Sequence, residues 1–144
     1  TGVQLEVGTY TSSDLPPFRF ETYGDNLQRC QRYFWAICPA DALSANSRVG
    51  LGGTISTTRI EVPCIFPVRM RTKPTLVSSG TASDFYLYDL ATNSETTNGI
   101  GLTASGSAVA QGVYHTCASG LTAGSATQVL TGNTDARLSF DSEL

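Results

Sequence analysis

The stretch RIEVPCIFPVRMR, residues 59–71, decides the fold class. Ile60, Val62, Cys64, Phe66, Val68 and Met70 alternate with Arg59, Glu61, Pro63, Ile65, Pro67, Arg69 and Arg71. Successive side chains of a strand point to opposite sides, so this pattern predicts one face on a core and the other toward solvent. Pro63 and Pro67 have no N–H to give to a ladder, which predicts an edge strand or a bulge.

Working outward, ARLSFD near the C-terminus repeats the pattern, with Ala136, Leu138 and Phe140 on one side. Further strands are predicted at 33–37, 54–60, 74–79, 84–90, 107–117 and 126–130. Turn residues separate them: the glycines of VGLGGT between Gly50 and Gly53, Asn98-Gly99, Gly106, Ser119-Gly120 and Gly132-Asn133. Asn98-Gly99 suits a primed hairpin turn, since both residues tolerate positive φ. Only GDNLQRCQ, from Gly24, has a helical look; Asp25 or Asn26 is its expected cap, with one helical turn at most. The sum is an all-β chain, expected to be an antiparallel β-sandwich or jelly-roll-like domain.

Composition narrows the function. Over 144 residues, only 15% are charged, while 15 Ser, 19 Thr and 14 Gly supply polarity and turns. This length suits one domain with a real core. A net charge of −3, with one lysine against eight arginines, leaves no basic footprint for DNA or RNA, so no nucleic-acid partner is expected. No apolar run approaches the ~20 residues that span a bilayer, and no membrane insertion is expected. The opening TGVQLEVGTY reads as a strand entered in mid-course, the mark of a piece of a longer polypeptide or a processed product.

Chemistry finds little footing. Cys30, Cys38, Cys64 and Cys117 show no C-x-x-C pair; two disulfides in any of three connectivities are allowed, and buried free thiols are preferred. His115, the single histidine, would share a strand face with Val113 and Cys117, and a packed histidine is preferred over a catalytic base or metal ligand. No G-x-S-x-G elbow is present. Asp84 and Asp89 fall on opposite strand faces and make no glycosidase pair. GLGG lacks the lysine of a phosphate loop and reads as a hairpin turn. The chain is read as non-enzymatic, with no cofactor and no metal.

Binding has more to offer. In SDFYLYDL, Tyr86 and Tyr88 share a face with Asp84, opposite Phe85 and Leu87. Such rings beside acidic and amide groups suit sugar recognition; the alternative is packing against a neighbouring strand or subunit. The polar segment 90–99, with Asn93, Glu95 and Asn98, reads either as a partner-contacting loop or as a solvated hairpin end. Trp35, Tyr114 and His115 complete the set of candidate receptor contacts.

Taken together, several motifs resemble the C-terminal part of bacteriophage tail-fibre-like virion proteins. Gln4, Leu5, Glu6 and Gly8 match a Q-L-E-x-G strand that closes an upstream module, and Phe20, Glu21 and Tyr23 match the connector. Leu27, Cys30, Gln31, Arg32, Tyr33 and Phe34 match L-x-x-C-Q-R-Y-[YF]. Phe66, Pro67, Val68, Met70, Arg71, Pro74 and Thr75 match F-P-V-x-M-R-x-x-P-T, and ARLSFDSEL is similar to the usual ending, with Ser142 where alanine is common. The insertion SSDLPP departs from the shorter connector, and 81–130 matches loosely.

The resemblance implies residues 1–24 as module end and connector, and 25–144 as a C-terminal head domain. It implies a homotrimer at the fibre tip of a virion, assembled in the host cytoplasm, that binds a host-cell surface glycan or protein. Cys30, Arg32, Tyr33, Phe34, Met70 and Arg71 are then architectural: core or interface packing, with Arg32 an anchor. Low charge suits large faces buried between subunits. Arg32, Arg69 and Arg71 are candidates for interchain pairing with Glu21, Glu61 or Glu143. The rival readings are a purely structural trimerisation or capping domain, with adhesion by an upstream module, and a polysaccharide-depolymerase fragment.

Overall fold

A computed structural model describes residues 8–11, 13–14, 17, 21–38, 44–79, 81–89 and 93–143. The chain is mostly strand, and every strand pairing is antiparallel. In order come α1 (Tyr23–Gln31), β1 (Phe34–Cys38), β2 (Arg48–Ser56), β3 (Arg59–Ile65) and β4 (Thr75–Ser78). A short 3-10 turn (Ala82–Asp84) leads into β5 (Phe85–Asp89), β6 (Asn93–Thr96), β7 (Gly99–Leu102), β8 (Ala110–Thr116), β9 (Ala126–Thr131) and β10 (Leu138–Asp141).

Seven strands form one sheet in the order β6-β5-β9-β2-β3-β8-β7. Its two edge strands are consecutive in the chain, joined only by Thr97 and Asn98. Thr97 N–H donates to the Phe85 carbonyl on β5, and Asn98 N–H donates to the Thr116 carbonyl on β8. Residues 93–102 therefore run as one extended segment that leaves one edge and joins the other, closing the sheet into a ring. The expected Asn98-Gly99 hairpin turn is thus corrected. Asn98 does not adopt positive φ, and closing the ring satisfies backbone groups that a hairpin would leave on two open edges.

Alternation fills the ring. Ile60, Phe85, Leu87, Val113 and Val129 are fully buried, as are Thr127, Thr131 and Asp89. The polar members are partnered: Thr54 and Thr127 hydroxyls meet at 2.6 Å, while Asp89 accepts from the Thr122 N–H and the Ser125 hydroxyl. The glycines of 50–53 lie inside β2, not in a turn. A Cβ on Gly52 would sit 2.3 Å from the Glu61 carbonyl oxygen, so β2 and β3 come close here only because the side chain is missing. The turn falls at Thr57–Thr58, so the strand expected over 54–60 is in fact a hairpin. β3 is an inner strand, correcting the edge assignment. Pro63 is tolerated because the pairing with β2 runs only as far as Gly53–Glu61, leaving Pro63 paired with Gly112 alone.

A second, three-stranded sheet has the order β1-β10-β4. Its Trp35 and Phe140 stack at 5.8 Å, and both rings meet Phe66, at 5.6 and 5.0 Å. Here three stretches distant in sequence converge. The Arg32 carbonyl accepts from the Arg71 N–H at 2.7 Å and the Ser142 hydroxyl at 2.8 Å, and the Tyr33 carbonyl accepts from the Ser142 N–H. The segments around 32, 70 and 140 thus belong to one structural unit.

The helix is longer than the single turn expected: α1 has nine residues. Its cap is Thr22, not Asp25 or Asn26. The Thr22 oxygen accepts from the Asp25 N–H, and its hydroxyl donates to the Asp25 carboxylate. None of its residues is buried, so Cys30 packs in no core of its own chain. Met70 is buried, whereas Arg32, Arg71, Tyr33 and Phe34 are exposed, with the Arg71 guanidinium 5.8 Å from the Tyr33 ring. Among the described residues, no helix is long and apolar enough to cross a membrane.

Candidate functional site

β5 turns Phe85, Leu87 and Asp89 inward, which leaves Tyr86 and Tyr88 on the outside of the ring. Residues paired across an antiparallel ladder share a face. Tyr88 is paired with Gln128 of β9, and Gln128 in turn with Leu51 of β2. Tyr86 is paired with Thr96 and with Leu130, and Leu130 with Arg48. The outer face thus carries an aromatic ring (Tyr88, 42% exposed), an exposed aliphatic residue (Leu51, 57%), an amide and a guanidinium. Arg48 Nε donates to Gln128 Oε1 at 3.3 Å, which sets the amide's orientation beside the tyrosine. Tyr86 is half-buried and packs over Gly132, where a Cβ would come within 3.2 Å of its ring.

Asp84 does not belong to this face. The 3-10 turn rotates it inward, where it is 7% exposed and accepts from Asn133 Nδ2 at 2.8 Å. The Thr81 hydroxyl first, and then Asn133, hold its carboxyl below the usual carboxylate range. Its chemistry is spent on closing the 81–84 and 132–133 turns.

His115 is corrected as a receptor contact. It points into the ring, is 1% exposed, and sets its imidazole edge-on to Phe85 at 5.7 Å. Burial pushes its pKa down to about 4, so it is neutral at physiological pH. Trp35 is engaged by Phe66 and Phe140 in the small sheet. Tyr114 faces outward, but the Arg59 guanidinium covers its ring at 4.4 Å and the ring lies across Gly101. Neither presents an open ring face. Asn98 is exposed and accepts from the Thr116 hydroxyl at 2.8 Å, holding the crossing that closes the ring.

The segment around Asn93 and Glu95 is strand β6, not a loop; along the backbone Asn93 pairs with Asp89 and Glu95 with Leu87. The side chains of Asn93 and Glu95, and residues 90–92, lie outside the described residues. The face therefore keeps Tyr86 and Tyr88 from the sequence reading and adds Arg48, Leu51 and Gln128. Alternation in β9 already placed Gln128 outward; nothing local pointed to Leu51, hidden in a glycine run that looked like a turn.

No known family profile, curated protein or solved structure matches the chain.

The thiols and charges add no chemistry here. All four cysteines are free; Cys38, Cys64 and Cys117 are buried, and burial lifts the Cys38 and Cys64 thiols to about 11, far from the reactive thiolate. Glu21 pairs with Arg29 and Glu61 with Arg59 inside one chain, so these carboxylates already have partners before any second chain approaches. Among the described residues, no group of His, Cys, Asp and Glu is arranged to hold a metal. What the β5–β9–β2 face can do is bind: a sugar ring stacks its C–H groups on Tyr88, while Gln128, Arg48 and Thr96 offer donors and acceptors to hydroxyl or carboxylate groups.

Proposed function

We propose that this chain is the C-terminal head of a bacteriophage tail-fibre-like virion protein, displayed as a trimer at the fibre tip. In this reading it attaches the virion to a host-cell surface glycan without chemical turnover. The head is jelly-roll-like, with the small sheet and the strand ring facing one another as a sandwich. The observation that carries the reading is the outward tyrosine pair on β5, flanked by an amide and a guanidinium of neighbouring strands. The tail-fibre resemblance supports it independently. Its motif segments lie far apart in sequence yet meet at the Arg32, Arg71 and Ser142 junction, as expected of a shared architectural module. The loosely matching part, 81–130, contributes β5 and most of β9, as expected where a head varies with its host.

That same convergence also favours a second reading, a trimerising cap with adhesion by an upstream module. Incubating the purified chain with a panel of candidate host cells and their extracted glycans separates the two. The head reading expects saturable binding to at least one surface. Binding to none of them is the cap's result, and release of reducing ends from host polysaccharide would make the chain a depolymerase instead.

A further inference from the structure

Helix α1 sits on its own chain the wrong way round. Projected at 100° per residue, Asp25, Gln28 and Arg29 fall on one side, and Tyr23, Leu27 and Cys30 on the other. The polar side faces home: with Glu21 and Arg32 it lines a depression of about 330 Å³ against Val68. The apolar side faces away, with Tyr23 82% and Leu27 40% exposed and Cys30 exposed as well. A helix that covers its own domain does the reverse. A nine-residue helix with nothing buried also lacks the tertiary packing that short helices need for stability.

The spacing identifies the occupant. Tyr23, Leu27 and Cys30 are separated by four and then three residues, and Phe34, 51% exposed, follows after four more at the start of β1. That is the narrow seam of a coiled coil, not the wider stripe of a helix docked on a globular partner. The residues beside the seam are Gly24, Asn26 and Gln31, all uncharged, while Asp25, Arg29 and Arg32 sit at the back. Flanking charges are what select an unlike partner or repel a like one, and here there are none. A second copy of the same helix meets no opposing charge.

We infer that α1 is the self-association surface of the chain: copies pack helix to helix through Tyr23, Leu27 and Cys30, and Phe34 extends the contact. The copy number of three rests on the fibre-head reading; the choice of face does not. Two measurements on the full chain test it. By light scattering, the wild type gives three times the 15.2 kDa of one chain, and Leu27→Asp gives a single chain with an unchanged circular-dichroism spectrum. With a short bismaleimide, Cys30, the one exposed cysteine of the four, joins two chains of each wild-type trimer and leaves the third uncoupled. Cys30→Ser abolishes the product. The cross-link needs no destabilising change, so it decides the matter even if Leu27→Asp unfolds. A trimer that survives Leu27→Asp without coupling at Cys30 overturns the inference and leaves the receptor reading intact. A wild type that stays monomeric overturns the inference and the trimeric fibre tip together, while glycan binding by that monomer preserves the receptor face alone.

Discussion

In the strand ring, Phe85, Leu87, Val113 and Val129 are fully buried, and a seven-stranded sheet spends both of its edges on closing itself. In α1 and the start of β1, no helical residue is buried, and Tyr23, Leu27 and Phe34 stand in solvent. The ring needs nothing beyond its own chain. The helix has apolar surface and no place in its own chain to put it. A self-sufficient region beside an unsatisfied one is the arrangement expected of a domain that folds alone and then assembles. Stability and assembly should therefore be separable by mutation.

The largest expected effect is on the self-sufficient side. Phe140→Ala removes a fully buried ring that meets both Trp35 and Phe66, and should cost about 3–5 kcal/mol in denaturant unfolding. A loss under about 1 kcal/mol would mean that the small sheet is not part of the cooperative unit.

Next comes acid. The folded His115 has a pKa of about 4 against 6.5 unperturbed, so between these values the unfolded chain binds the extra proton. Stability from this group is complete above pH 6.5, falls by about 3 kcal/mol as pH drops toward 4, and is flat below that. His115→Gln should flatten that slope in urea titrations across the range; an unchanged slope would show that the imidazole is solvated in the folded state.

Gly52→Ala tests the close approach of β2 and β3. Its Cβ would meet backbone, which cannot yield as a side chain can, and a cost of about 1–3 kcal/mol is expected. Gly53, with open space around its Cβ position, is the control, and Gly53→Ala should cost less.

The smallest effect belongs to the helix. Leu27→Ala in dilute, monomeric protein should move stability by less than about 0.5 kcal/mol, because the side chain touches no core. The same change should lower the melting temperature of concentrated wild-type-like assemblies, where association contributes to stability. Equal effects at both concentrations would erase the contrast between the two regions.

The sequence disclosed what period two can encode. The alternation of 59–71 and 136–141 correctly placed Ile60, Val62, Cys64, Phe66, Met70, Leu138 and Phe140 inside, and Tyr86 and Tyr88 outside. It failed where tertiary pairing overrides local preference. Glycines 50–53 look like a turn but serve a close strand approach, and Asn98-Gly99 looks like a hairpin but closes a ring whose partners lie 13 and 18 residues away in sequence, at Phe85 and Thr116. The candidate face was half legible for the same reason. Tyr86 and Tyr88 are local, whereas Arg48, Leu51 and Gln128 reach them only through the pairing of β9 with β2. Asp84 and His115 carry the residue types of a site, but burial assigns them to the framework.

The claim that the β5–β9–β2 face is the receptor site is tested most directly by the double variant Tyr86→Ala/Tyr88→Ala, titrated on whichever host surface the wild type binds. The account predicts a loss of at least about tenfold in affinity, roughly 1.4 kcal/mol, with the wild-type mass and circular-dichroism spectrum retained. Wild-type affinity in the double variant would contradict it.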